Sequence, residues 1–263
     1  MKTSSEYRAL AWKEFRSHVG GSFAILFKYF LLGLLLVGIV YAACFATKQI
    51  PLIVLGSLIG ICLAGVINYH FIVDFLSLKR NQFTKDRFWK VLLCALFLLI
   101  PNVFALLNNL LWGIVKPETA GGALLVIFLI FVTIGLLWFV IWWQYAVNAT
   151  LPYMVHDNKE TSVWESLLKN IRLMNGYKFA LFCVELKICV WPLVILFVLM
   201  ISALLLVWGI KDLSSGGYAA FLIVLIVFEI LFFSLIVPVV QFARVHFYED
   251  LRAEQQAQEE TEA

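Results

Sequence analysis

Charges are costly inside a bilayer, so those that an apolar chain carries there are the first candidates for chemistry. Glu185 and Lys187 lie within the apolar run 177–209, and Glu229 within the run 218–243. Residues two apart on a helix point to nearly opposite faces, so Glu185 and Lys187 cannot pair with each other. Counted at ~1.5 Å per residue from the start of its run, Lys187 falls near mid-membrane, at a depth comparable with Glu229. The spacing therefore predicts a Lys187–Glu229 pair across the last hairpin. Its functional version is a relay or substrate path, and its plain version a structural ion pair. Asp74, with His70 one turn earlier, closes the second apolar run. It is expected to pair with Lys79, Arg80 or another helix, with a proton-handling His–Asp couple as the bolder alternative.

A second set of residues suits headgroups instead of a path. Thr3-x-x-Glu6 has the spacing of a capping box. Behind it Tyr7, Ala11, Phe15 and Val19 recur every four residues beside Trp12, while Arg8, Lys13, Glu14 and Arg16 take the other face. That pattern predicts an interfacial amphipathic helix over 4–20, ended by Gly20-Gly21. Ser162-x-x-Glu165 opens a similar segment over 161–175. Its apolar stripe reads Trp164, Leu167, Leu168, Ile171 and Met174, against Lys169, Asn170, Arg172 and Asn175. Lys13, Arg16, Lys169 and Arg172 are the candidates to face anionic headgroups, each basic residue near a surface being worth about 1 kcal/mol. The alternative is a linker helix packed on the end of the bundle.

The elements that position these residues follow from hydropathy. The chain is 63% hydrophobic and only 14% charged, against about a quarter charged in globular domains. This predicts an all-α polytopic membrane bundle, a single domain over 1–250 with a polar acidic tail over 251–263. Six spans are expected at about 22–46, 51–77, 88–115, 122–152, 177–209 and 218–243, each near or above the ~20 residues a crossing needs. Pro51 and Pro117 fall in turns, whereas Pro101, Pro192 and Pro238 fall inside spans, where each removes a backbone hydrogen bond. Lys and Arg crowd one side, at 2–28, 79–90, 159–178 and 244–252, with Lys48, Lys116 and Lys211 on the other. That asymmetry predicts cytoplasmic termini. The tail is expected to be disordered or a short helical extension.

Cysteines 44, 62, 94, 183 and 189 all fall in apolar runs and show no metal-binding or redox spacing. No phosphate-binding glycine loop, zinc-protease, nucleophile-elbow or dinucleotide pattern is present. No catalytic residue, metal or cofactor is therefore expected, and no basic cluster exceeds what topology demands, so nucleic acid is not an expected partner. Polar groups at Asn68, Asn102, Asn108, Asn109, Gln144 and Asn148 are placed to bond between helices. Trp138, Trp142 and Trp143 read as an aromatic belt.

A weak repeat runs through the chain. Arg16-x-x-x-Gly20-x-x-Phe23-Ala24 returns as Arg172-x-x-x-Gly176-x-x-Phe179-Ala180, and His70-Phe71-x-x-Asp74-Phe75 as His246-Phe247-x-x-Asp250-Leu251. It suggests three successive hairpins, each led in by a basic cytoplasmic segment. The N-terminal SSEYRALAWKEFRSH, the stretch LLKNIRLMNGYKFALFCVELKICVWPL and the closing FARVHFYEDL resemble the DUF975 family of bacterial integral membrane proteins. The matching positions are Met174, Gly176, Tyr177, Lys178, Trp191, Phe247, Tyr248 and Leu251. Val190 departs where a Gly usually precedes the Trp, and Val239 where a Tyr usually follows the Pro. The resemblance implies six spans and a bacterial cytoplasmic membrane, and transfers no activity. Together these readings predict a non-enzymatic multi-pass protein. Its expected partners are membrane lipids, anionic ones included, a membrane protein or a second copy of itself. A small transporter or channel using Glu185, Lys187 and Glu229 is the alternative.

Overall fold

The computed structural model describes residues 1–47, 50–114, 120–209 and 215–262. Every regular element among them is helical. In chain order they are α1 (Ser4–Ser17), α2 (Val19–Thr47), α3 (Ile50–Arg80), α4 (Phe88–Ile114), α5 (Ala120–Trp143), a π-helical turn (Gln144–Asn148), α6 (Leu151–Asp157), α7 (Val163–Leu173), α8 (Lys178–Gly209) and α9 (Ser215–Glu262). Three stretches among the described residues are long and apolar enough to cross a membrane: Val19–Val40, Ile59–Arg80 and Phe128–Asp157. Lys48, Lys116, Pro117, Lys211 and the side chains of Pro51, Asn102, Asn109 and Glu229 lie outside the described residues.

The chain divides into two compact units. The first holds Met1–Leu26, Leu78–Asn81 and Phe179–Ala263. In it α1 lies along α9, and the Thr3/Glu6 capping box forms with both halves present. Tyr7, Ala11 and Phe15 are buried, with the Tyr7 ring 5.3 Å from that of Phe247. Burying a large apolar side chain is worth roughly 1.5–3 kcal/mol, so this stripe docks α1 on protein, where an interfacial reading would have given it to lipid. Val19, the fourth member of the stripe, is exposed and belongs to α2. Nor do Gly20 and Gly21 end the helix: the break falls at His18, and both glycines continue in α2. Gly21 packs closely on α3: a Cβ there would stand 2.7 Å from Leu78 Cδ1 and would push the end of that side chain aside. The tail over 251–262 extends α9 as helix.

The second unit holds Phe27–Ser77 and Gln82–Lys178. Its core joins Tyr69 and Val73 of α3, Val91, Cys94 and Leu98 of α4, Ala146 and Val147 of the π turn, Leu151 and Val155 of α6, and Val163 and Leu167 of α7. Pro101 lies inside α4 and has no N–H for the Phe97 carbonyl one turn before it. The indole N–H of Trp143 donates to that oxygen at 3.0 Å, and Asn148 Nδ2 donates to the next carbonyl, Leu98, at 3.4 Å. Trp143 thus repairs a helix broken by proline and is half-buried, unlike Trp138 and Trp142, which stay exposed as a belt requires.

On α7 the buried residues are Val163, Ser166, Leu167 and Asn170, followed by Met174. The stripe expected from sequence is rotated: Trp164 is 60% and Leu168 42% exposed. The cause is Asn170, read as part of the polar face. Its Nδ2 donates to the Ala146 carbonyl in the π turn at 2.8 Å, and its Oδ1 accepts from the Thr150 hydroxyl at 2.8 Å. A π turn disturbs the regular backbone ladder, and a buried amide with both donor and acceptor answers that need.

Candidate functional site

Four cations of the first unit border one groove. Arg8, Lys13 and Arg16 come from α1 and Lys187 from α8. Arg8, Trp12 and Arg16 follow at four-residue steps and so form one ridge, with Ala9 and Lys13 on the ridge beside it. This face is set by the opposite one: with Tyr7, Ala11 and Phe15 docked on α9, the helical period leaves the basic ridges outward. The other walls are apolar, from Trp12, Ile188, Trp191, Pro192, Ile195, Leu235 and Ile236. Ile188 and Ile236 are buried beneath it, while Trp191 is 67% exposed at its edge. The groove measures 790 Å³, within the ~300–1,000 Å³ common for ligand sites. Among the described residues no carboxylate lines it.

Among the described residues Arg8, Lys13 and Arg16 have no ion-pair partner, and Lys187 donates a 3.3 Å hydrogen bond to Ser5 Oγ. The Glu229 side chain, to which Lys187 was expected to pair, lies outside the described residues. Glu185 faces the other way, as its two-residue offset requires. It is buried against Arg244 of α9, with Nε donating to Oε1 at 2.6 Å.

The acidic and histidine positions read from sequence fall into polar clusters that share no residue with the groove's lining. Asp74 accepts from Lys28 at 2.9 Å and from the Tyr29 hydroxyl at 2.7 Å, both on α2. Lys79 and Arg80, the partners first expected for it, are instead bonded to Glu249. His70 is half-buried with its ring edge-on to Tyr69, and no hydrogen bond joins it to Asp74 among the described residues. At the repeated motif, Asp250 accepts from Lys2 at 2.6 Å and from the Tyr7 hydroxyl at 2.8 Å. Each Asp of the repeat therefore holds one lysine and one tyrosine from earlier in the chain. Burial alone would raise the Asp250 carboxyl, but the hydrogen bonds from Lys2 and Tyr7 outweigh it and hold its pKa below the ordinary value.

On α7, Lys169 is exposed, 3.9 Å from Glu165 one turn earlier, and Arg172 is exposed without an ion-pair partner among the described residues. Sequence reasoning missed a cluster centred on Asp86. Its carboxylate accepts from the Tyr69 hydroxyl at 2.9 Å and meets His156 Nδ1 at 2.8 Å, while His156 Nε2 lies 3.2 Å from the Thr84 hydroxyl. Burial acts to raise Asp86, yet the contacts with His156 and Tyr69 bring it below the ordinary carboxylate value. Lys90 completes the tie by donating to the carbonyls of Asn158, Lys159 and Thr161. These contacts clamp the 82–87 connection onto α6.

The arrangement that remains is a concave surface with cations that have no ion-pair partner among the described residues at one edge and apolar walls at the other, suited to binding an anionic amphiphile. No protein-family model, curated protein or solved structure matches the chain. Fold and site together define a helical protein with apolar stretches long enough to span a membrane and a basic groove in its first unit.

Proposed function

We propose that this is a non-enzymatic, six-span protein of a bacterial cytoplasmic membrane that engages anionic lipid headgroups through the basic faces of α1 and α7. The six spans are three hairpins with both termini on the cytoplasmic side, and membership of the DUF975 family is proposed on the motifs named above. The observation that carries the reading is the set of unpaired cations on α1. Like charges crowded on one helix face repel, and Arg8, Lys13 and Arg16 share such a face with no carboxylate in the groove among the described residues. Phosphates at a cytoplasmic leaflet supply the missing charge at about 1 kcal/mol per basic residue. Trp164 and Leu168 of α7, exposed beside Lys169 and Arg172, offer the same pairing of apolar anchor and cation.

Two lengths support placing Lys187 at headgroup level. α8 has 32 residues, about 48 Å of helix against a hydrocarbon core of ~30 Å. About 18 Å of it therefore extends out of the hydrocarbon, and the pairing of Glu185 assigns that excess to its first turns. Glu185 is paired with Arg244, which stands just past the sixth apolar run, so this part of α8 is level with the end of that run. The transport reading comes second on the same ground, because Glu185 is committed to Arg244 near a polar boundary.

The test is thermal unfolding of the full-length protein in neutral detergent with added lipid. A ligand of the folded state raises its melting temperature. Phosphatidylglycerol should raise it, and phosphatidylcholine at the same concentration should not. Equal shifts from the two lipids would remove the headgroup reading.

A further inference from the structure

The groove is longer than a single phosphate. From Arg8 to Arg16 the ridge of α1 runs about 12 Å, and Lys187 adds a fourth cation from α8. A phosphodiester carries one negative charge. Seated anywhere on this ridge, it would leave most of the positive edge uncompensated. Two phosphates several ångströms apart match both the charge and its spread. The remaining wall decides what carries them. Trp191, Ile195 and Leu235 are exposed on the groove's apolar side. Along α8 that surface continues through Val194 and Val198, both exposed and on the same helix face as Trp191 and Ile195. A soluble anion has no use for such a wall, whereas acyl chains would lie along it. Basic pockets beside membrane helices on the cytoplasmic side suit headgroups of this kind.

We propose that the groove formed by α1, α8 and α9 seats a lipid carrying two phosphates, of the diphosphatidylglycerol kind. Its phosphates lie on Arg8, Lys13, Arg16 and Lys187, and its chains run along Trp191, Ile195 and Leu235. This rests on the anionic-headgroup reading above and narrows it to one lipid class and one place. Guanidinium groups bind phosphate oxygens through two parallel N–H donors, which favours Arg8 and Arg16 as the fixed points. Lys187, held near Ser5, supplies the charge from the opposite wall.

The experiment is native mass spectrometry of the full-length protein released from neutral detergent with equal concentrations of diphosphatidylglycerol, phosphatidylglycerol and phosphatidylcholine. The expected result is a diphosphatidylglycerol adduct favoured about tenfold over phosphatidylglycerol. Arg16→Gln and Lys187→Gln should abolish that preference. Lys85→Gln/Arg87→Gln, exposed cations outside the groove, should leave it intact. Should Lys187→Gln lose its helical signal, Lys13→Gln on the exposed face of α1 reads the same term. Equal diphosphatidylglycerol and phosphatidylglycerol adducts, both above phosphatidylcholine, would overturn the two-phosphate seat while leaving the anionic reading standing. Equal adducts of all three would overturn both. Displacement of the lipid by inorganic pyrophosphate would overturn the lipid assignment in favour of a free diphosphate.

Discussion

Replacing Arg244 by Met tests the polar joint between α8 and α9. Arg244 Nε lies 2.6 Å from Glu185 Oε1, and the two side chains are each 11% exposed. At that burial the pair is little screened by water, and removing one partner leaves the other charged in a site built to neutralise it. Breaking a buried pair in this way costs ~3–5 kcal/mol, whereas replacing both partners with apolar residues of similar size is often close to neutral. Arg244→Met should therefore destabilise by about 3–5 kcal/mol, and Glu185→Met by a similar amount. The double variant should fall well short of their sum, with a coupling of about 2–3 kcal/mol. The assay is denaturation of the detergent-solubilised protein by increasing dodecyl sulfate, followed by helical circular dichroism for the wild type, both singles and the double. Losses that add to within ~0.5 kcal/mol would show that the two charges do not depend on each other, and the joint would not be what holds α8 to α9.

Two further outcomes follow from other clusters. Asn170→Ala strands the Ala146 carbonyl and the Thr150 hydroxyl in the core of the second unit, so it should cost ~1–3 kcal/mol in the same denaturation assay; an effect near zero would mean the π turn needs no side-chain partner. His246 gives a pH dependence. Burial, and after it the Lys79 ammonium, hold its imidazole below the ordinary value of 6.5, against the opposing carboxylates of Glu14, Glu249 and Asp250. A depressed value in the fold means that its contribution is complete above pH 6.5 and is lost as pH falls through the lower folded value. Docking of α1 on α9 should weaken on mild acidification, and His246→Gln should flatten that loss; identical acid profiles for both proteins would assign it elsewhere.

Much of the architecture was legible because membrane solvation imposes long periodic signals. The helices, the capping box at Thr3 and Glu6, the prolines inside α4, α8 and α9, and the opposed directions of Glu185 and Lys187 all follow from spacing within one element. What failed to show was information shared between elements. The burial of Asn170 depends on a π turn more than twenty residues before it, and hydropathy gives no sign of one. Asp86, His156 and Tyr69 come from three separate segments, so no local spacing could assemble them. The stripe of α1 was read correctly as apolar, but amphipathicity cannot say whether lipid or α9 covers it. Two signals were present and overlooked. A proline inside a helix names the carbonyl it orphans, which pointed to Phe97. The Arg8–Trp12–Arg16 ridge was likewise visible at its four-residue steps.

The proposed function turns on selection of anionic lipid by the cations of α1. The most direct measurement of that selection is the lipid that stays with the protein through gentle purification, quantified against the membrane it came from. Anionic lipids should be enriched over that membrane in the wild type. The enrichment should collapse to the membrane's own composition in Arg8→Gln/Lys13→Gln/Arg16→Gln. A wild type carrying lipids in the membrane's own ratio, or a triple variant that keeps the enrichment, would contradict it.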